Sequence, residues 1–242
     1  MLLLTQFLLR LSFGLAVGMA VTSPRLVSSG YFRNHLYVIL GLTTLAVLAS
    51  LGVSSLVVSL AVAAAVLSYA GSVCWLYEAK RAGVVMLWLV AACALVAAWA
   101  GTELGLLRAT SVVASGLVLG LTTASMLLGH WYLNSPGMEL EPLRRLLKLD
   151  GMAVAGQIAL STCGLVGNLM VVDVVSVSWL LFLLLRWSFG LMGVLALLWM
   201  AWQTLKIPNT QSATGILYVA VIGVFVGELT SLLLSAESAF PL

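Results

Sequence analysis

Leu181 to Leu205 reads LFLLLRWSFGLMGVLALLWMAWQTL, a run of 25 residues whose one charge, Arg186, is its sixth residue, inside the apolar run. At ~1.5 Å per residue such a helix exceeds the ~30 Å hydrocarbon core of a bilayer. The stretch therefore reads as a spanning helix. An arginine at that depth costs about 2.5–3.5 kcal/mol on insertion scales, so it marks a functional site unless something else explains it. The phrase recurs once. Leu9 to Leu15 is LRLSFGL and Leu185 to Leu191 is LRWSFGL, identical at six of seven positions. Near the C-terminus a third apolar stretch carries one acid, Glu228.

The rest of the chain is of the same kind. Of 242 residues, 62% are hydrophobic and 8% charged, against about 25% charged in soluble domains. Apolar runs recur from end to end, and the longest polar stretch, Asn134 to Asp150, is too short for a soluble domain. The sequence predicts one transmembrane domain over residues 1–242, an all-α polytopic bundle. The net charge of +3 is spread over several loops, which argues against a nucleic-acid partner. Cys74, Cys93 and Cys163 fall within predicted spans without a CxxC spacing and read as small packing residues. The first apolar run has no basic residue before it, so it reads as a retained span rather than a secretory signal.

Eight spans are expected, with seven as the fallback. They run over about 2–21, 36–51, 55–77, 83–100, 106–133, 151–172, 176–205 and 211–234. Breaks fall at Thr22-Ser23-Pro24, Gly52-Val53-Ser54, Gly101-Thr102-Glu103, Asp173 and Lys206-Ile207-Pro208. Pro142 marks a short interfacial helix, and Asp150 reads as the N-cap of span six. Alternate loops hold Arg25, Arg33, Lys80, Arg81, Arg144, Arg145, Lys148 and Lys206, while the opposite side holds only Arg108. By the positive-inside rule the basic loops are cytoplasmic and both termini face outward. Trp75, Tyr77, Trp131, Tyr132 and Trp202 then fall at inner ends, as expected of an aromatic belt. The abundance of Ala, Leu, Val and Gly suits a bacterial inner membrane.

This topology puts Arg10, Arg186 and Glu228 at roughly 10–15 Å below the outer surface. Gln6, Arg10, Gly14 and Gly18 share a helical face. Gly14/Gly18, Gly116/Gly120 and Gly223/Gly227 are GxxxG pairs, which let helices approach closely. Spans one, seven and eight are expected to pack together and gather Arg10, Arg186, Glu228 and Gln6 into a ligand, quinone or ion site. The bland alternative is an ion-pair lock between helices. Both Ser-Phe-Gly-Leu copies run the same way, so a duplication would be a parallel repeat.

His35 and His130 fall at the cytoplasmic ends of two spans and are candidate axial ligands for haem b, or interfacial histidines beside Tyr37 and Trp131. No metal-ligand spacing, HExxH, GxSxG or P-loop is present, and no catalytic residue stands out. Gln157, Ser161, Thr162 and Asn168 read as interhelical hydrogen-bonding groups. The leading expectation is a membrane subunit of a respiratory or electron-transfer assembly, working with partner redox subunits and binding quinone or haem. A small permease or channel through the same charges is the alternative, and a scaffold without ligand the third. Sidedness is directly testable. With Cys74, Cys93 and Cys163 replaced, a single cysteine at Glu139 stays unlabelled by an impermeant maleimide added outside intact cells; labelling from outside would invert the orientation.

Overall fold

The computed structural model describes residues 2–52, 54–102, 105–135, 137–171, 176–207, 209–238 and 240–242. Glu103, Asp173 and Pro208, read above as breaks, lie outside the described residues, as does Val53. The chain forms α1 (Leu2–Val21), α2 (Ser29–Ser50), α3 (Ser55–Leu76), α4 (Lys80–Ala100), α5 (Leu106–Asn134) and α6 (Glu141–Leu169). The seventh long helix joins α7 (Val177–Leu185), a π-helical segment (Arg186–Gly193) and α8 (Val194–Thr204); α9 (Thr210–Ala236) is the last. Among the described residues, eight helices are long and apolar enough to cross a membrane, counting Val177–Thr204 as one.

Several ends differ from the sequence reading. α2 begins at Ser29, so His35 lies within the helix rather than at its start. α6 begins at Glu141 and has no separate interfacial piece. Leu143, Leu146, Leu147, Asp150 and Val154 fall on one buried stripe at helical spacing, so one amphipathic face runs through the polar stretch and carries it into the long helix. Asp150 is therefore no N-cap. It sits inside α6, fully buried.

α1 and α5 form the centre. Over their most apolar windows 78% of residues are buried, against 28–39% in α2, α3, α4, α6 and α7–α8. They run parallel: Gly14 meets Gly116 and Gly120, and four residues on Gly18 meets Ala124. A methyl on Gly14 would stand 1.7 Å from the Gly116 carbonyl oxygen, and one on Gly120 1.8 Å from the Gly14 carbonyl carbon. These two GxxxG pairs therefore face each other. On one side, α2, α3 and α4 pack in succession and close back on α1. On the other, α5 carries α6 and α9, and α9 carries the π segment and α8. This corrects the expected grouping: α1 packs chiefly on α5, and α5 stands between it and most of α9.

The outward faces of the flanking helices expose Leu48, Val66, Trp88, Met152 and Leu181. A surface of this kind is compatible with a multi-pass membrane protein. Trp75 departs from the belt expected of it. It is 1% exposed, stacked on Phe32 at 4.1 Å between ring centres, and Tyr132 is buried too. The three cysteines are free, Cys163 on the surface of α6.

Both the start of α1 and the finish of α9 lie at one end of the bundle, called here the terminal end; His35 and His130 lie toward the other, distal end. The glycine contact is open to test. Gly120→Val forces carbon into backbone and should lower stability by at least the ~1–3 kcal/mol of an overpacked core, read as a fall of several degrees in thermal midpoint. Gly41→Val, where nothing lies within 4 Å, should shift it by much less. Equal effects at both positions would remove the α1–α5 contact from its central role.

Candidate functional site

A charge buried away from water needs a partner, and Glu228 has two. Its Oε1 accepts from Arg186 Nη1 at 2.7 Å, with both side chains fully inaccessible. Its Oε2 accepts from the Ser115 hydroxyl. That hydroxyl in turn accepts from Arg10 Nη1 at 3.3 Å. The chain Arg10–Ser115–Glu228–Arg186 thus crosses α1, α5, α9 and the π segment. Three of its members are the charges the sequence singled out, and the structure brings them together. Ser115 is the link the sequence did not show. Its only signal was its place beside Gly116 of a GxxxG pair.

Glycines set these distances. Gly190 lies one turn after Arg186, and Gly227 directly before Glu228. A methyl on either would stand 2.5 Å from the other's Cα. Gly14, one turn after Arg10, sits on Gly116, directly after Ser115. Each charge is therefore within a turn of a backbone-to-backbone contact, where the helices are close enough for side chains to bridge directly.

The two LRxSFGL copies have different backbones. The first is ordinary α-helix; the second opens into the π segment at Arg186. π turns are rare and are frequent at functional sites. In both copies the serine hydroxyl donates to the carbonyl four residues earlier: Ser12 to Leu8 at 2.7 Å and Ser188 to Leu184 at 2.6 Å. Their surroundings are unlike. Gly14 packs on the parallel α5 and Gly190 on the antiparallel α9, so the copies do not sit in repeated surroundings.

A cavity of about 510 Å³ opens at the terminal end and reaches Arg10. Gln6, Ser111, Thr102, Arg108 and Glu237 give it polar walls, and Leu2, Leu3, Leu232 and Pro241 apolar ones. Gln6 Nε2 donates to the Ala98 carbonyl at 3.0 Å and ties α1 to α4. Its Oε1, Arg10 Nε, and Arg186 Nε and Nη2 have no partner among the described residues. Arg108 donates to the Ser238 carbonyl at 3.1 Å. The three buried charges sum to one positive, so the floor of this vestibule is cationic and rich in donors. It suits a carbonyl, carboxylate or phosphate oxygen.

The histidines do not converge. His35 Nδ1 donates to the Tyr31 carbonyl at 2.6 Å, and its ring lies against Tyr31 and Trp131. His130 Nδ1 meets the Tyr218 hydroxyl of α9 at 3.2 Å. His130 and Trp131 are consecutive on α5, about 100° apart around it. With Trp131 toward His35, His130 points to α9. Among the described residues no cluster of three His, Cys, Asp or Glu could hold a metal.

Asp150 is the residue the sequence reading misplaced. Its Oδ1 accepts from the Thr122 hydroxyl at 3.0 Å, while that hydroxyl is also 2.8 Å from the Val118 carbonyl. Its Oδ2 has no partner among the described residues. Further along α6, Gln157 Oε1, Ser161 Oγ and Asn168 Oδ1 are buried and likewise have no partner among the described residues. The expectation that these three make interhelical hydrogen bonds is corrected for those atoms.

Comparison with known proteins returns no matching family model, no matching curated relative and no matching solved structure.

The pair at the centre of the site has a measurable coupling. Glu228→Leu leaves the Arg186 cation buried and unpaired, and should destabilise by about 3–5 kcal/mol. Adding Arg186→Met should recover most of it, since an apolar pair replaces a buried ion pair at little cost. A double variant no more stable than Glu228→Leu in thermal or denaturant unfolding would mean the two are not coupled.

Proposed function

We propose that this chain is a multi-pass protein of a bacterial inner membrane, with both termini outside, that serves as the membrane subunit of an electron-transfer assembly and receives the head of a quinone in its vestibule. The observation that carries this reading is Arg10. It stands at the floor of an amphipathic cavity and is joined through one hydroxyl to a buried carboxylate. A quinone head needs donors for its carbonyl oxygens and apolar walls for its ring and tail. The vestibule supplies Arg10 as donor and Leu2, Leu3 and Leu232 as walls, and its volume lies within the range of small-molecule sites.

Quinone reduction takes two electrons and two protons. Electrons would come from partner redox subunits, which the short loops of this chain leave room to dock. Ser115, by way of Ser111 on the vestibule wall, would pass the two protons one at a time from Glu228 to the quinone, Glu228 being reprotonated from water between the steps. Haem draws no support from the histidines, which turn to different neighbours. A small-anion permease is the second reading, since the cationic floor would attract such a solute equally.

Titration of the detergent-solubilised protein with a short-chain ubiquinone analogue tests this, read by quenching of tryptophan fluorescence; Trp99 stands nearby, donating to the Ala109 carbonyl. Binding should saturate, and Arg10→Ala should weaken it about tenfold, the ~1.4 kcal/mol equivalent of one charge-assisted hydrogen bond. Binding that never saturates, or that Arg10→Ala leaves unchanged, would overturn the quinone site. Anion uptake into proteoliposomes would then be the reading to pursue.

A further inference from the structure

One face of α5 carries hydroxyls at five of the seven positions along it. Ser111, Ser115, Val118, Thr122, Ser125, Gly129 and Tyr132 recur at alternating four- and three-residue steps, which keeps them on a single stripe. Ser111, Ser115, Val118, Thr122, Ser125 and Tyr132 are buried, as is Gly129. From Ser111 to Tyr132 the stripe rises about 30 Å, the thickness of a bilayer core. Ser111 lines the vestibule at the terminal end. The Tyr132 hydroxyl donates to the Glu139 carbonyl in the loop at the distal end. Two buried carboxyl groups attach in between, Glu228 at Ser115 and Asp150 at Thr122.

The two acids are held differently. Glu228 faces Arg186 directly and Arg10 through Ser115. Asp150 faces Thr122 and has no cation beside it among the described residues. Of the basic residues nearby on α6, Arg144 donates to the Leu205 carbonyl, Lys148 lies over the Trp202 ring and Arg145 is exposed. Ser125 Oγ, Asp150 Oδ2 and Gln157 Oε1 have no partner among the described residues. α6 runs antiparallel to α5. With Asp150 opposite Thr122, Val154 falls near the level of Val118 and Gln157 near that of Ser115. The one apolar level between the two acids is thus made by Val118 and Val154, both buried.

We infer that the hydroxyl face of α5, with Asp150 and Glu228 as carriers, is a proton-transfer path along the bundle, gated where Val118 and Val154 close it. A proton from water at the distal end bonds to Asp150. It leaves Asp150 across the valine level on water admitted by movement of those side chains, and bonds to Glu228 as the Arg186 ion pair opens. It leaves Glu228 through Ser115 and Ser111 to the vestibule, and the Arg186–Glu228 pair re-forms. One positive charge crosses per cycle, and the direction follows the gradient. No vestibule ligand is required, so this path and the quinone site stand or fall separately.

The test uses the purified full chain in liposomes with a trapped pH-sensitive dye and a potassium diffusion potential set by valinomycin. Wild-type vesicles should take up protons faster than protein-free ones. Asp150→Asn should lower the rate at least tenfold, and Asp150→Glu should restore part of it. Val118→Ser should raise the rate several-fold, and does not depend on Asp150→Asn folding. Infrared difference spectra should show a carboxylic-acid carbonyl band that Asp150→Asn removes. Wild-type and Val118→Ser rates both equal to protein-free vesicles would overturn the path. So would a wild-type flux that folded Asp150→Asn leaves intact.

Discussion

Among the described residues Glu228 is the anion that two buried arginines share, directly with Arg186 and through Ser115 with Arg10, and the packing around it can be read as the means of pairing all three. Removing an ion from water costs several kcal/mol even after relaxation. The bond to Arg186 at 2.7 Å and the bond from Ser115 offset that cost for the acid. Arg10 is compensated more weakly, through Ser115 at 3.3 Å and at one remove from the carboxylate. The arrangement is therefore stable but unequal. Both arginines keep donors without partners among the described residues, Arg10 at the edge of a cavity and Arg186 away from it.

Such short bridges require helices closer than leucine packing allows. Glycine supplies that closeness twice, at Gly14 on Gly116 and at Gly190 on Gly227. Because each charge sits within one turn of such a contact, packing and electrostatics are not separable here. A side chain added at Gly227 would meet Gly190 and approach Arg186 Nη1 to 3.4 Å, moving the helix and the ion pair together. The π segment lies in the same place. Its wider turn begins at Arg186 and includes Gly190, so Arg186 is carried by the one π-helical stretch among the described residues.

Much of this was legible in the chain. Eight apolar runs of sufficient length stand out because spacing and composition report burial in hydrocarbon directly. Arg10, Arg186 and Glu228 stood out because charges are rare in such runs. Helix partners were not legible. Three GxxxG pairs say that close contacts exist but not which helix meets which, and the pairing of α1 with α5 had to come from the structure. Ser115 was hidden for the same reason: a serine in an apolar helix is common, and only its neighbours make it a bridge. Asp150 was misread because a polar stretch before a long apolar run resembles a helix start. What the reading missed is the stripe Leu143, Leu146, Leu147 and Asp150, whose period continues into α6 without a break.

The polar groups are distributed in a way that stability alone does not require. A lock between helices would need Arg186 and Glu228 and nothing more. Instead a second arginine is linked to the pair and faces a cavity, while a second acid lies about two turns along the same face of α5 with one carboxyl oxygen unpartnered among the described residues. Unsatisfied buried oxygens each cost about 1–3 kcal/mol, and α5 and α6 hold several on the faces they turn inward. A bundle selected only to hold together would replace them with Leu or Ala, as the flanking helices do at Ala61, Ala64 and Ala94. Among the described residues Ser125 Oγ, Asp150 Oδ2, Gln157 Oε1 and Ser161 Oγ lie on the neighbouring helices α5 and α6, so part of that cost falls where the inferred path would run.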